Sequence, residues 1–148
     1  MTVDGVNAFQ IDRLSVVYHT EEGDLPAVRD VSLTLASRES LGLVGESGSG
    51  KTTLALGAIG YLPANGRVTN GAARLHGTEL LTLPRREIRR VWGSRIGLVS
   101  QNPQGALNPT LTIGRQLDEM GRLHLGLGRR AARDLTLGML RRVDMPDP

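Results

Sequence analysis

The segment GESGSGKT, from Gly45 to Thr52, constrains this chain more than any other stretch. It fits the spacing GxxxxGK[ST], in which a loop must curl so that successive backbone N–H groups point inward at phosphate oxygens. Gly45, Gly48 and Gly50 stand where a side chain would obstruct that curl, and Glu46, Ser47 and Ser49 fill the rest of the loop. Lys51 brings a full positive charge to the terminal phosphates, while Thr52 offers a hydroxyl to a bridging Mg²⁺ and Thr53 extends the polar run. The apolar run Ser40–Val44 precedes the loop and Lys51–Tyr61 follows it with helical character, so the order reads strand, loop, helix. With glycine near 7% of average usage, the pattern arises by chance in roughly one chain in a hundred of this length, and its setting makes chance rarer still. A nucleoside triphosphate site is the expectation.

The remaining sequence supports an α/β organisation. Residues Phe9–Tyr18 and Ala27–Leu35 read as strands joined by the turn-rich TEEGDLP. Gly66–Leu81 reads as one or two antiparallel strands, and Pro84 opens a helix through PRREIRRVWGS. Arg95–Ser100 is expected to form a second buried strand, followed by an irregular loop, QNPQGALNP. Ile113–Leu125 and Arg129–Val143 read as helices separated by GLG. The chain of 148 residues has no cysteine and only three scattered histidines, which argues against disulfides and thiolate metal sites. No apolar run approaches the roughly 20 residues of a spanning helix, and the N-terminus lacks an export pattern, so a cytoplasmic location is expected.

Charge is unevenly distributed. Residues 51–148 carry fifteen Lys or Arg against seven acids, while residues 1–50 carry three Arg against eight. Phosphate or an acidic protein surface would suit the basic part, but an aromatic content of 3% leaves few stacking platforms for nucleic acid, which is not an expected partner. Arginine supplies every cation except Lys51, so the lone lysine is the informative one.

The match extends beyond the phosphate loop. The strip IGLVSQNPQGALNPTLTIG, with Gln101 following an apolar run, resembles the Q-loop region of ABC transporter ATPases. The wording GESGSGKTT, the leader GRVTNGAARLHGTELLTLPRREIRRVWGSRIGLVSQNP and LNPTLTIGRQLDE resemble the dipeptide, oligopeptide and nickel importer branch of that family, over about Phe9 to Pro148. The resemblance implies a P-loop NTPase (RecA-like) core with an antiparallel β subdomain in residues 1–112 and the start of a helical subdomain in 113–148. It implies ATP and Mg²⁺ as ligands, with Tyr18 as the aromatic that stacks on adenine, although a packed strand aromatic is the other reading of that residue. It implies Gln101 as the residue that positions water and metal, alongside Thr52, and region 102–115 as the surface that receives a permease. A second ATPase domain and membrane permease subunits are the implied partners, placing the protein peripherally on the cytoplasmic side of the membrane. Ser100 and Asn102 depart mildly from the common pattern, where an aromatic and an aspartate are more usual.

Within the family the signature motif, the Walker B acids, the D-loop and the switch histidine would all follow Pro148. After Gln101 the acids are Asp118, Glu119, Asp134, Asp144 and Asp147, and none follows an apolar strand. Asp118 and Glu119 read as a solvated helix face. ATP-driven import of peptides or a similar solute is therefore the implied function, with nickel open as the solute. The 148-residue chain alone is expected to expose apolar surface, to be poorly soluble or molten, and to hydrolyse ATP negligibly. The alternative is a non-catalytic nucleotide-binding or permease-docking module. A P-loop kinase is disfavoured by the Q-loop strip and by the lack of an arginine-rich lid.

Overall fold

The computed structural model describes residues 7–146, with Pro103 and Gln104 described at the backbone only. The N-terminal MTVDGV and the final Asp147 and Pro148 lie outside the described residues. The chain forms two compact units, Met1–Ile88 and Arg89–Pro148.

In the first unit, β1 (Asn7–Thr20) and β2 (Gly23–Ala36) form a long antiparallel hairpin, closed at Thr20↔Gly23. Thr20 Oγ1 donates to the Gly23 carbonyl at 2.8 Å, tying the turn that TEEGDLP encodes. β3 (Gly66–Leu75) pairs with the other side of β1, and the short β4 (Thr78–Glu79) adds to β3, giving the order β2-β1-β3-β4. β2 continues through Pro26, which an interior strand would not allow; β2 is an edge strand, so the missing N–H breaks no ladder. β1 slips register between Ile11 and Leu14. There Arg13 and Asp30 take positive φ of 45° and 50°, and their N–H groups donate to Ser32 Oγ (2.8 Å) and Ser15 Oγ (3.0 Å). The two serines thus replace ladder bonds that the bulges remove, while the bulges sharpen the twist of the hairpin.

Helix α1 (Lys51–Ala58) lies on this sheet. Leu54 and Ala58 from α1, Ile11, Leu14 and Val16 from β1, Val28 from β2 and Ala73 from β3 make the core. Leu14 and Val16 share the core face at the two-residue strand period, and the irregularity between Ile11 and Leu14 puts Ile11 on that face as well. α1 comes close to β1 at Gly57, where a Cβ would lie 2.9 Å from Val16 Cγ2. α2 (Arg85–Val91) begins directly after Pro84, as expected.

The second unit contains α3 (Pro103–Ala106), α4 (Ile113–Leu125) and α5 (Arg129–Arg142). The QNPQGALNP segment is thus not wholly irregular, since it holds the four-residue α3. α4 starts at an N-cap, Thr112, whose side chain accepts from the Arg115 N–H at 3.4 Å. It stops at Gly126, which takes the left-handed conformation at φ 66°. Gly121 meets Ala132 of α5, where two small residues allow close approach. Asp118 shares the α4 face of Gly114 and Gly121 that meets α5, so it is not the solvated acid that the sequence suggested; its Oδ1 is buried without a hydrogen bond. Glu119, one step round the helix, is exposed.

Two expected strands do not form. Neither Ser40–Val44 nor Arg95–Ser100 belongs to a sheet; the nearest feature is a single parallel bridge between Trp92 and Ile96. An apolar run carries strand propensity, but a strand also needs a neighbour to bond, and the one sheet of the described residues is wholly antiparallel. Leu41, Leu43, Val44, Leu98 and Val99 are accordingly exposed, Val44 at 94% and Val99 at 96%. The apolar exposure anticipated from the sequence is present. A Leu14→Ala substitution is expected to cost about 2–5 kcal/mol in urea denaturation, whereas Val44→Ala stays within about 0.5 kcal/mol; equal losses would contradict this arrangement.

Candidate functional site

Residues Gly45–Gly50 leave the irregular segment after β2 and turn into α1 without any side-chain cap on the helix and with no acid in its first turn. The helix therefore presents unsatisfied N–H groups and the positive end of its dipole to the inside of the loop. Gly50 makes the turn: it sits at φ 90°, and a Cβ there would lie 2.5 Å from the Ala27 carbonyl oxygen. Both the left-handed conformation and the contact with β2 require glycine at this position.

Lys51 closes the loop. Its Nζ donates to the Gly45 carbonyl (2.8 Å), the Glu46 carbonyl (2.7 Å) and Ser49 Oγ (3.2 Å), using all three ammonium hydrogens. The Ser49 N–H also donates to the Glu46 carbonyl at 3.2 Å. The charge is therefore held by the loop's own oxygens. Ser47, Gly48 and Thr52 are exposed around it, so the hydroxyls and the amide edge are open to a ligand. Beside the loop lies a cleft of about 350 Å³ bounded by Ala27, Val31, Leu43, Lys51 and Leu54.

Tyr18 also joins this site. It lies near the end of β1, and its phenol oxygen is 3.2 Å from Thr53 Oγ1, within hydrogen-bond distance. The structure thus places the sequence-predicted aromatic next to the phosphate loop. Just beyond Tyr18, His19 Nδ1 and the Arg67 guanidinium both engage the Asp24 carboxylate. The His19 hydrogen bond first, and then that from Arg67, hold the Asp24 carboxyl below the usual carboxylate range. Sequence reasoning did not single out this cluster, because the three residues are scattered in the chain and only the pairing of β1 with β2 and β3 assembles them.

Gln101 belongs to the second unit, at an exposed bend before α3. The following loop is more ordered than its composition suggests. The Gln116 side chain receives the Asn108 N–H (2.8 Å) and donates to the Asn108 and Leu111 carbonyls (both 3.0 Å). Asn108 Oδ1 in turn accepts from the N–H and hydroxyl of Thr110, at 3.0 and 2.8 Å. An amide side chain bridging backbone across eight residues leaves no periodic trace in a sequence, which is why Gln116 was missed.

The profile of the ABC transporter family matches residues 28–147. The chain belongs to the ABC transporter family. Among curated relatives, the oligopeptide transport ATP-binding protein OppD of Salmonella typhimurium is 40% identical over 93% of this chain and 41% of its own length. The dipeptide transport ATP-binding protein DppD of Bacillus subtilis is 39% identical, over 93% and 42%. A Brucella abortus protein named for peptide import is 45% identical, over 93% and 42%. This ABC chain thus spans about two fifths of the length of the curated relatives it matches. A solved dimeric ATP-binding cassette, MJ0796 bound to ADP and Pi, superposes with a TM-score of 0.78 at 21% identity, covering 94% of this chain and 58% of that one. The likeness places this chain in the ABC cassette fold, mixed α/β with an antiparallel sheet.

Two outcomes test the geometry. Gly50→Ala forces a Cβ into the Ala27 carbonyl and is expected to cost about 1–3 kcal/mol of stability in chemical denaturation. In an NMR titration, Asp24 should show a midpoint below ordinary aspartates, and Arg67→Ala should raise it. Because the folded value is the lowered one, the stability this cluster contributes is present above the ordinary carboxylate range and is lost as pH falls through the lowered value.

Proposed function

We propose that Gly45–Thr53 holds the phosphates of ATP and that this chain is the nucleotide-binding part of an importer for peptides or a similar solute. The observation that carries the reading is the loop itself: Lys51 closed over Gly45 and Glu46, with an uncapped helix start behind it. The peptide and oligopeptide transport names of the 39–45% identical relatives support the importer assignment and the solute class.

In this reading the loop amides and the α1 N-terminus bind phosphate oxygens, and Lys51 neutralises charge on the terminal phosphates. Tyr18, hydrogen-bonded to Thr53, would lie against the base. The Thr52 hydroxyl is a hard oxygen donor suited to Mg²⁺, and Gln101 is a second oxygen donor assigned to metal and water. Held by these residues, Mg²⁺ would supply positive charge to offset that of the terminal phosphates. Thr52 and Gln101 are the candidates for this role by the resemblance of their segments to the family; among the described residues no group of three or more His, Cys, Asp or Glu could hold a metal ion. The core of residues 1–112 and the helical part beginning at 113 would then work with a second ATPase domain, as in the dimeric cassette. Region 102–115, ordered by Gln116, would face a permease at the cytoplasmic side of the membrane. Among the described residues no helix is long and apolar enough to cross a membrane.

Hydrolysis needs an acid to hold the metal and a group that acts on water. Of the described acids after Gln101, Asp118 and Glu119 are on α4, Asp134 is on α5, and Asp144 lies just beyond α5, none at a strand end. The chain by itself is therefore read as binding nucleotide without turnover. Isothermal titration should show Mg²⁺-ATP binding to the 148-residue chain, at least tenfold weaker after Lys51→Ala, and no phosphate release above background in a malachite-green assay. Lysine-independent binding would sink the site, and Lys51-dependent turnover would sink the non-catalytic part.

A further inference from the structure

Tyr18 does more in this fold than offer a ring to a base. Its strand position pairs with Gly66 of β3, and the ring lies on the Gly66 α-carbon: a Cβ at 66 would meet Tyr18 Cε1 at 2.9 Å, Cδ1 at 3.2 Å and Leu62 Cβ at 3.3 Å. Gly66 is not among the residues with positive φ, so the position demands space rather than conformational freedom. Two backbone bonds fix the seat, from His19 N–H to the Asn65 carbonyl at 2.7 Å and from Gly66 N–H to the Pro63 carbonyl at 2.9 Å. Held this way, the ring lies where its oxygen reaches across to α1, 35 residues on, to Thr53 Oγ1 at 3.2 Å in a partly buried setting.

Thr53 is the third residue of α1, in the turn whose N-terminus forms the anion cradle. A threonine hydroxyl within a helix ordinarily donates back to a carbonyl three or four residues earlier, which turns its hydrogen away from a ligand. A phenol is the stronger donor of the two hydroxyls. Either hydroxyl could donate across this contact; with the more acidic phenol donating, Thr53 Oγ1 accepts on one of its two lone pairs and keeps its own hydrogen for a second acceptor such as an anion oxygen.

We propose that Tyr18 is a positioning residue for the phosphate cradle: seated by Gly66, its hydroxyl orients the Thr53 hydroxyl toward the bound anion, linking the base side of the site to the phosphate side. The proposal rests on the reading of Gly45–Thr53 as a triphosphate site. Tripolyphosphate, which has no base, separates this role from stacking.

The test is isothermal titration of the full chain with Mg²⁺-tripolyphosphate and with Mg²⁺-ATP, in the parent and in Lys51→Ala, Tyr18→Phe, Thr53→Val, Gly66→Ala and the Tyr18→Phe/Thr53→Val pair. Tyr18→Phe keeps the ring and removes one oxygen. It should weaken both ligands alike by roughly three- to tenfold, the size of one lost hydrogen bond, and have no further effect in the Thr53→Val background. Gly66→Ala, which crowds the ring, should weaken tripolyphosphate in the same way. Tripolyphosphate binding that is unchanged or tighter in Tyr18→Phe, or losses that simply add in the pair, would overturn the proposal while leaving the site intact. If the parent binds neither ligand, or binds them without dependence on Lys51, the site itself falls, and the proposal with it.

Discussion

The Lys51 ammonium is the constraint on which the site depends. Three hydrogen bonds to Gly45, Glu46 and Ser49 draw the two ends of a glycine-rich loop together, and each is a charge-assisted bond to an oxygen of the loop itself. The loop can close this far only because Gly50 takes a conformation that other residues resist and leaves room for the Ala27 carbonyl. Lys51 thus supplies the charge, and Gly50 and β2 supply the shape. The two are inseparable, since a loop that could not turn at Gly50 would not bring Lys51 over Gly45.

Behind the loop, the β1–β2 hairpin and β3 act as the rigid support. Leu14 and Val16 are fully buried, and Val16 packs against Gly57, so α1 is fixed on the sheet at its C-terminal half while its N-terminus stays open. The same strands carry Tyr18 to Thr53 and gather His19, Asp24 and Arg67 at the hairpin end. Tyr18 on the sheet and Thr53 at the helix start are therefore joined by a hydrogen bond between side chains from different elements.

Much of the fold was legible in the residues. The first strand followed from the β-branched and aromatic content of Phe9–Tyr18, the second from the alternation of Ala27–Leu35 after the turn-rich TEEGDLP, α2 from Pro84, and α4 and α5 from the segments on either side of GLG. Ser40–Val44 and Arg95–Ser100 were read as strands from their apolar content alone. That content speaks to one strand at a time, whereas a ladder requires a neighbour, and Leu43, Val44, Leu98 and Val99 have none among the described residues. Asp118 failed for a related reason: hydrophilicity suggested solvent, but its place on the face of Gly114 and Gly121 turns one oxygen inward. Gln116 and Asn108 were silent because their bonds join side chain to backbone across a loop.

The local chemistry of the phosphate loop was written in eight consecutive residues, because backbone curvature, charge and hydroxyls all act within one turn of chain. Family membership was likewise readable, since the Q-loop strip is contiguous. Which residues stand around that loop was a matter for tertiary structure. Tyr18, Thr53 and Gly66 are far apart in sequence, and the register of β1 against β3, together with the seating of α1 on the sheet, brings them within hydrogen-bonding and van der Waals distance. Sequence spacing specifies a contact only where the chain itself is the spacer; across elements, packing sets the distance.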